Sequence, residues 1–257
     1  GETFRGYLAK HANVEIGLNL RSDRWAGADW WTAQAKVPGL TLDALLDRSE
    51  VVDVGIDGGG LDDLLGLAVV GRDKETREWL AWVHAWAHPS VLDRRKDIAT
   101  RLHDFAKDGD LTMVRHIGDD VADVAGIVAM IESRGLLDKV GCDPSGLGGI
   151  ADALAEAEIP VEKIVGIQQG WRMTGAIKTA ERKLAEGVLV HGGQPLMSWC
   201  VGNAKIEPRG NAVVITKQAA GSAKIDALLA LFNAITLMSL NPETAAAPEI
   251  HSLDIYS

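Results

Sequence analysis

The 257-residue chain predicts a mixed α/β fold, with three antiparallel strands followed by strands that alternate with helices. Three observations carry that reading. The runs Val51–Asp57, Leu65–Gly71 and Glu78–Ala87 are rich in β-branched, apolar or aromatic residues and are separated by turn residues, the pattern of an antiparallel meander. Beyond Pro89, helical spacing and short β-prone runs alternate, as parallel strands joined by crossover helices require. A composition of 47% hydrophobic and 24% charged residues supports a packed core and excludes disordered and fibrous classes for the bulk of the chain.

Before the meander, residues 1–49 carry a tryptophan cluster (Trp25, Trp30, Trp31) and a short amphipathic helix over Leu40–Ser49; they read as a docking arm or linker. Pro89–Lys107 has helical spacing with Ser90 as cap, Leu111–Ile117 is a weak strand, and Asp119–Arg134 is an amphipathic helix ended by Gly135. Lys139–Cys142 is a strand stopped by Asp143-Pro144, Leu147–Glu158 a helix, Val161–Gln168 a strand and Thr174–Glu186 a helix. Val188–His191, Leu196–Cys200 and Ala212–Thr216 are expected to be β pieces, and Ser222–Leu240 a closing helix with Asp226 one turn in. The tail from Asn241, with Pro242 and Pro248, is expected to fray.

Net charge is −10, which argues against coating nucleic acid by bulk electrostatics. The charge is uneven, however. Residues 160–230 carry nine basic against five acidic groups, so a polyanion would meet Arg172, Lys178, Arg182, Lys183, Lys205, Arg209, Lys217 and Lys224. Cys142 and Cys200 are too few for a disulfide framework or a cysteine-only zinc site. Neither a secretory leader nor an apolar run of about 18 residues is evident, which points to an intracellular protein without a membrane anchor. A chain that opens on Gly1 reads as part of a longer one.

Three acidic residues occupy positions where chemistry would need them. Asp57 ends the first strand and precedes Gly58-Gly59-Gly60, Asp143 ends a central strand, and Asp226 lies in the last helix. Asp63 on the following turn is a fourth candidate, and its neighbour Asp62 could substitute. Each alone is a common turn or cap residue. Several carboxylates converging on one point persist only if cations neutralise them, and oxygen-only donors select Mg²⁺ or Mn²⁺ over zinc. Two such ions about 3.5–4 Å apart can activate water and stabilise the leaving oxygen of a phosphodiester.

The strand order and these acids make the chain resemble the ribonuclease H-like fold. More specifically, it is similar to the C-terminal nuclease domain of tailed-phage large terminase subunits. The resemblance rests on Gly55-Ile56-Asp57 with Asp63-Leu64, Gly141-Cys142-Asp143-Pro144, His191-Gly192-Gly193-Gln194-Pro195-Leu196 continuing to Trp199 and Asn203, and Lys224-Ile225-Asp226-Ala227. It covers about residues 50–240, with Phe4–Trp31 resembling the segment that joins a terminase ATPase domain to its nuclease. It implies a ribonuclease H-like mixed sheet flanked by helices, with a β-hairpin region added before the closing helix. Metal-binding and catalytic roles follow for Asp57, Asp143 and Asp226, with Asp63 as further ligand to one or both of two Mg²⁺ or Mn²⁺ ions. Lys224 would meet a phosphate or screen the acids. The implied activity is endonucleolytic cutting of double-stranded, concatemeric phage DNA in the host cytoplasm, beside an ATPase domain, a portal and a small terminase subunit. The implied layout is an arm over 1–49, a nuclease domain over 50–241 and a tail over 242–257. Gly58-Gly59-Gly60 departs from the serine-containing stretch the resemblance leads one to expect.

No G-x-x-x-x-G-K-[ST] phosphate loop occurs, so no nucleotide is expected to bind this part of the chain. Val54–Gly60 also resembles the first phosphate loop of actin-like sugar kinases, but Leu61-Asp62-Asp63 would set negative charge against ATP. Resolvases and transposases of the same fold use similar acids, and a domain that only binds a packaging partner would have structural ones.

Overall fold

The computed structural model describes residues 23–61, 63–144, 147–217 and 224–244. In chain order these form α1 (Ala28–Trp31), α2 (Leu42–Arg48), β1 (Ser49–Gly58), β2 (Leu65–Asp73), β3 (Trp79–Ala87), α3 (Ser90–Arg94), α4 (Ala99–Asp108), β4 (Leu111–Met113), α5 (Asp119–Ser133) and β5 (Leu137–Cys142). There follow α6 (Leu147–Glu156), β6 (Ile164–Gly166), α7 (Thr174–Glu186), β7 (Leu189–His191), α8 (Pro195–Asn203), β8 (Ala204–Arg209), β9 (Ala212–Lys217) and α9 (Asp226–Met238). The expected meander is present: β1 pairs antiparallel with β2, and β2 with β3. Strands β5 on β1, β6 on β5, and both β4 and β7 on β3 are parallel, giving the order β4-β3-β2-β1-β5-β6 with β7 also on β3. The C-terminal ends of β1, β3, β4, β5 and β6 therefore open on one edge, where an α/β sheet ordinarily binds its ligand.

Both faces of the sheet are covered, which is why β1 and β2 read as nearly unbroken apolar runs rather than alternating ones. On one face Val52, Val54, Ile56, Leu67 and Val69 pack against Leu45 and Leu46 of α2, Val124, Val128 and Ile131 of α5, and Leu154 of α6. On the other, Val51, Ala68, Val70 and Val83 meet α7, α8 and α9. Helix α9 lies very close to the strands. A Cβ on Gly55 would stand 2.0 Å from the Ala230 carbonyl oxygen, and one on Gly66 would stand 2.8 Å from the Ala227 nitrogen. Glycine is the residue that permits this approach.

The described part of the N-terminal segment is built into the same layer. Trp25 is fully buried, edge-on to Phe232 of α9 at 5.3 Å, and Trp31 stacks on His191 at 3.8 Å and donates from Nε1 to Ser198 Oγ. His191 Nε2 bonds to the Trp31 carbonyl at 2.9 Å while its Nδ1 accepts from Gly193 N, which fixes the neutral Nε2–H tautomer. Burial lowers the His191 pKa to about 4, against that carbonyl bond.

Three expectations need correction. Leu196–Cys200 is helical, not a strand: Pro195 is pre-organised for the first turn, Asp110 Oδ2 accepts from Leu196 N at 3.0 Å, and Leu196, Met197, Cys200 and Val201 bury one helical face. Helix α9 begins at Asp226, so this residue stands at the start rather than one turn in. Pro89–Lys107 is two helices, broken at Arg95–Ile98. Strand β8 was not expected; it carries Pro208 and few apolar residues and forms by pairing with β9. With β9 it makes the hairpin that the resemblance implied before the last helix.

Two polar devices hold the sheet. Strand β3 pairs with β7 over Trp79–Ala81 and with β4 over Ala85–Ala87. Between them the Gln194 side chain replaces a strand: its Oε1 accepts from Val83 N at 2.9 Å, and its Nε2 donates to Val83 O at 2.8 Å and to Asp110 Oδ1 at 3.0 Å. On β1, Asp53 is fully buried; Lys139 N donates to its Oδ1 at 3.2 Å, and no donor reaches its Oδ2 among the described residues. Burial, and then the Asp138 carboxylate, push the Asp53 pKa up to about 8, so it is held as the neutral acid at pH 7.

Gln194→Glu keeps the size but turns the donor into an acceptor facing the Val83 carbonyl and Asp110. Urea unfolding should show a loss on the order of 2–4 kcal/mol. Asp53 gives a pH signature. The folded state keeps a proton that the unfolded chain releases near pH 4, so stability falls as pH rises from about 4 to about 8, by up to about 1.4 kcal/mol per unit, and then levels off. Asp53→Asn should flatten that slope in unfolding curves taken across this range; parallel slopes for the two proteins would refute the assignment.

Candidate metal centre

Asp57 and Gly55 lie on the same face of β1, so the close approach of α9 to Gly55 also brings the start of that helix to Asp57. Asp226 is the first residue of α9, where the helix dipole favours its charge. Asp143 follows the last residue of β5, which pairs in parallel with β1 through Gly55↔Gly141 and Ile56↔Cys142. These three carboxylates and Asp63 line one cavity of about 510 Å³, together with Gly58, Gly59, Gln169, Gly170 and Met173. Asp57 and Asp226 are buried, 7% and 3% exposed, while Asp143 and Asp63 are half-buried.

The glycine triplet explains itself here. Gly58, Gly59 and Gly60 have φ of +88°, +105° and +115°, a region that side chains resist. A Cβ on Gly58 would stand 2.1 Å from the Leu64 carbonyl and 3.2 Å from Asp226 Oδ1, filling the cradle between strand and helix. Behind the acids, Asn233 Nδ2 donates to the Ile56 carbonyl at 2.8 Å and Gln169 Nε2 donates to Asn233 Oδ1 at 3.0 Å, tying α9, β1 and the loop after β6 together. Neither residue was singled out from the sequence. Asn233 could have been, as the one amide side chain inside the largely apolar helix Asp226–Met238.

Lys224 is 2% exposed, and its Nζ donates to Asp63 Oδ1 at 2.5 Å, while Asn203 Nδ2 holds the Lys224 carbonyl at 2.9 Å. Among the described residues no three His, Cys, Asp or Glu side chains already close around a single point. The donors themselves fit a hard divalent cation, since the described lining offers carboxylate oxygens and neither His nor Cys. Asp57, Asp143 and Asp226 are the side chains that could hold it, with Asp63 able to join if released by Lys224. Asp62 lies outside the described residues.

The other basic residues singled out above scatter. Lys178 pairs with Glu181, Arg182 with Glu186, Lys205 with Asp23 and Arg209 with Glu207. Lys183 Nζ sits 4.1 Å from the Trp79 ring, at the opposite end of β3 from the acid edge. Arg172 lies over the Trp171 ring at 5.2 Å, and the side chain of Lys217 is outside the described residues.

A mixed sheet that places acids from its first strand, a central parallel strand and its closing helix on one cavity defines a ribonuclease H-like domain. Residues 18–241 match the family described as terminase large subunit, endonuclease domain, and the chain belongs to that family. Among solved structures it is similar to the HK97 bacteriophage large terminase, with a TM-score of 0.67 and 18% identity over 91% of this chain and 48% of that one. It is also similar to the large terminase nuclease of thermophilic phage G20c with bound magnesium, with a TM-score of 0.52 and 14% identity over 84% of this chain and 98% of that one. Protein YmfN of Escherichia coli strain K12 is 30% identical over 118 residues, 45% of this chain. The match spans only 26% of that curated relative's length.

Lys224→Met keeps the hydrocarbon stem but leaves Asp63 without its ammonium. Thermal melts in chelator should show a loss of about 2 kcal/mol, below the 3–5 of a fully buried pair because Asp63 keeps some water. Adding Mn²⁺ should raise the melting temperature of this variant more than that of the parent.

Proposed function

We propose that this domain is a divalent-metal-dependent endodeoxyribonuclease that cuts double-stranded phage DNA during genome packaging. The observation that carries the proposal is the single cavity lined by Asp57, Asp63, Asp143 and Asp226 at the C-terminal edge of the sheet. Family membership gives the reaction class, and the magnesium held by the G20c nuclease supports the choice of a hard cation. Mg²⁺ or Mn²⁺, in our reading two ions, would supply an activated water and stabilise the leaving 3′ oxygen. Asp57, Asp143 and Asp226 would act as ligands to the ions. Buried Asp57 and Asp226 fix the geometry, whereas half-buried Asp143 and Asp63 can adjust to the substrate. Gln169 and Asn233 keep α9 in register with β1 while DNA binds, and Lys224 limits the net negative charge that a phosphodiester must approach.

Residues 50–241 make up the nuclease domain in this reading, with 1–49 as an arm and 242–257 as a tail. The packaging context, with an ATPase domain, a portal and a small terminase subunit in the host cytoplasm, rests on the family alone. Among the described residues no helix is long and apolar enough to cross a membrane. An actin-like sugar kinase reading is disfavoured, because Gly58 and Gly59 share their cavity with Asp57, Asp63, Asp143 and Asp226, which would set negative charge against a nucleotide phosphate.

Supercoiled plasmid incubated with the protein and Mn²⁺ should be nicked and linearised, with no dependence on ATP and complete suppression by chelator. Asp57→Ala and Asp226→Ala should each lower the rate by at least about 10²-fold, as expected when a metal ligand is removed. Intact plasmid with the parent protein, or undiminished cutting by both variants, would sink the proposal.

A further inference from the structure

An acid-lined cavity repels the polyanion it must receive, so a DNA contact beside it needs a cation that is not already neutralised. Among the basic residues of the 160–230 segment, Lys178, Arg182, Lys205, Arg209 and Lys224 are each held by a carboxylate. Among the described residues Arg172 pairs with no carboxylate; its guanidinium rests on the ring of Trp171, itself 59% exposed. The two stand between Gly170 and Met173, which both line the cavity, on a single-turn 3-10 helix that follows the C-terminal end of β6. That turn is rigid. Thr174 Oγ1 lies 2.6 Å from the Trp171 carbonyl and accepts from Val213 N at 3.1 Å, bracing the turn against the β8–β9 hairpin. An exposed indole carries a large apolar area left out of the core, and an arginine laid on its face is pre-oriented without a competing anion.

We propose that Trp171 and Arg172 form the contact that seats double-stranded DNA at the carboxylate cavity, Arg172 on a backbone phosphate and the Trp171 ring against the neighbouring deoxyribose. The inference rests on the nuclease reading and adds the residues that position its substrate. It predicts an effect on binding rather than on chemistry, because neither residue lines the carboxylate cavity.

The test measures anisotropy of a fluorescein-labelled duplex in Ca²⁺ and plasmid cutting in Mn²⁺, for the parent, Trp171→Ala, Trp171→Phe, Arg172→Ala and Arg172→Lys. Trp171→Ala should weaken duplex binding by on the order of tenfold and raise KM with kcat nearly unchanged, while Trp171→Phe retains most of the affinity. Arg172→Ala should reduce the slope of log affinity against log salt by about 1, and Arg172→Lys should restore it. The Mn²⁺-induced rise in melting temperature should be the same in all five proteins. If the parent binds and cuts DNA while Trp171→Ala and Arg172→Ala match it in affinity, KM and salt slope, this inference fails and the nuclease reading stands. A parent that binds but does not cut leaves the affinities and salt slopes to decide. A parent that neither binds nor cuts overturns both.

Discussion

Everything that defines the site depends on how closely the last helix lies against the sheet. The Ala230 carbonyl approaches Gly55 so closely that no Cβ fits there, and Gly66 gives a close approach to the backbone of Ala227, while a Cβ on Gly141 would meet the side chains of Ile167 and Leu237. A larger residue at Gly55 or Gly66 would lift α9, whose first residue is Asp226, away from the end of β1. The chemistry at the edge and the glycines in the strands are thus one constraint. Asn233 enforces it from the helix side by bonding the Ile56 carbonyl immediately before Asp57, and Gln169 extends the link to the loop after β6.

The second half of the same layer has another role. Histidine, glycine and glutamine between residues 191 and 194 carry part of the family resemblance, and the structure uses them for assembly. His191 receives Trp31, Gln194 fills the gap between β4 and β7 along β3, and Asp110 accepts from the Leu196 amide in the first turn of α8. Because buried backbone groups must be paired, one side-chain amide spanning both polar groups of Val83 can do the work of a strand residue. The described part of the N-terminal segment is therefore held through Trp25 and Trp31 as part of the core rather than hung from it.

Much of this was legible because strands buried on both faces leave a strong apolar signature and acids at their ends interrupt it. Val51–Asp57, Leu65–Gly71 and Glu78–Ala87 stood out for that reason, and Asp57, Asp63, Asp143 and Asp226 do share a cavity. What escaped was tertiary. Leu196–Cys200 has apolar residues enough for a strand, and only the proline before it and the remote Asp110 decide for a helix. Ala204–Arg209 has too few apolar residues to stand out and becomes a strand by pairing with β9. Asp53 looks like one more surface acid in a count of charges, although it is uncharged in the core at neutral pH.

Charge counting also located a basic segment without revealing its condition. Nine cations between residues 160 and 230 suggest a broad attraction for DNA. Carboxylates pair with Lys178, Arg182, Lys205 and Arg209, and buried Lys224 is turned toward Asp63. A surface salt bridge is weak as a source of stability, but it still cancels the field that a distant polyanion would feel. The acid cavity therefore has little long-range help, and in the proposed reading DNA must be captured by short-range contacts at its rim. In the proposed reading, affinity too low to hold a substrate alone makes cutting conditional on delivery.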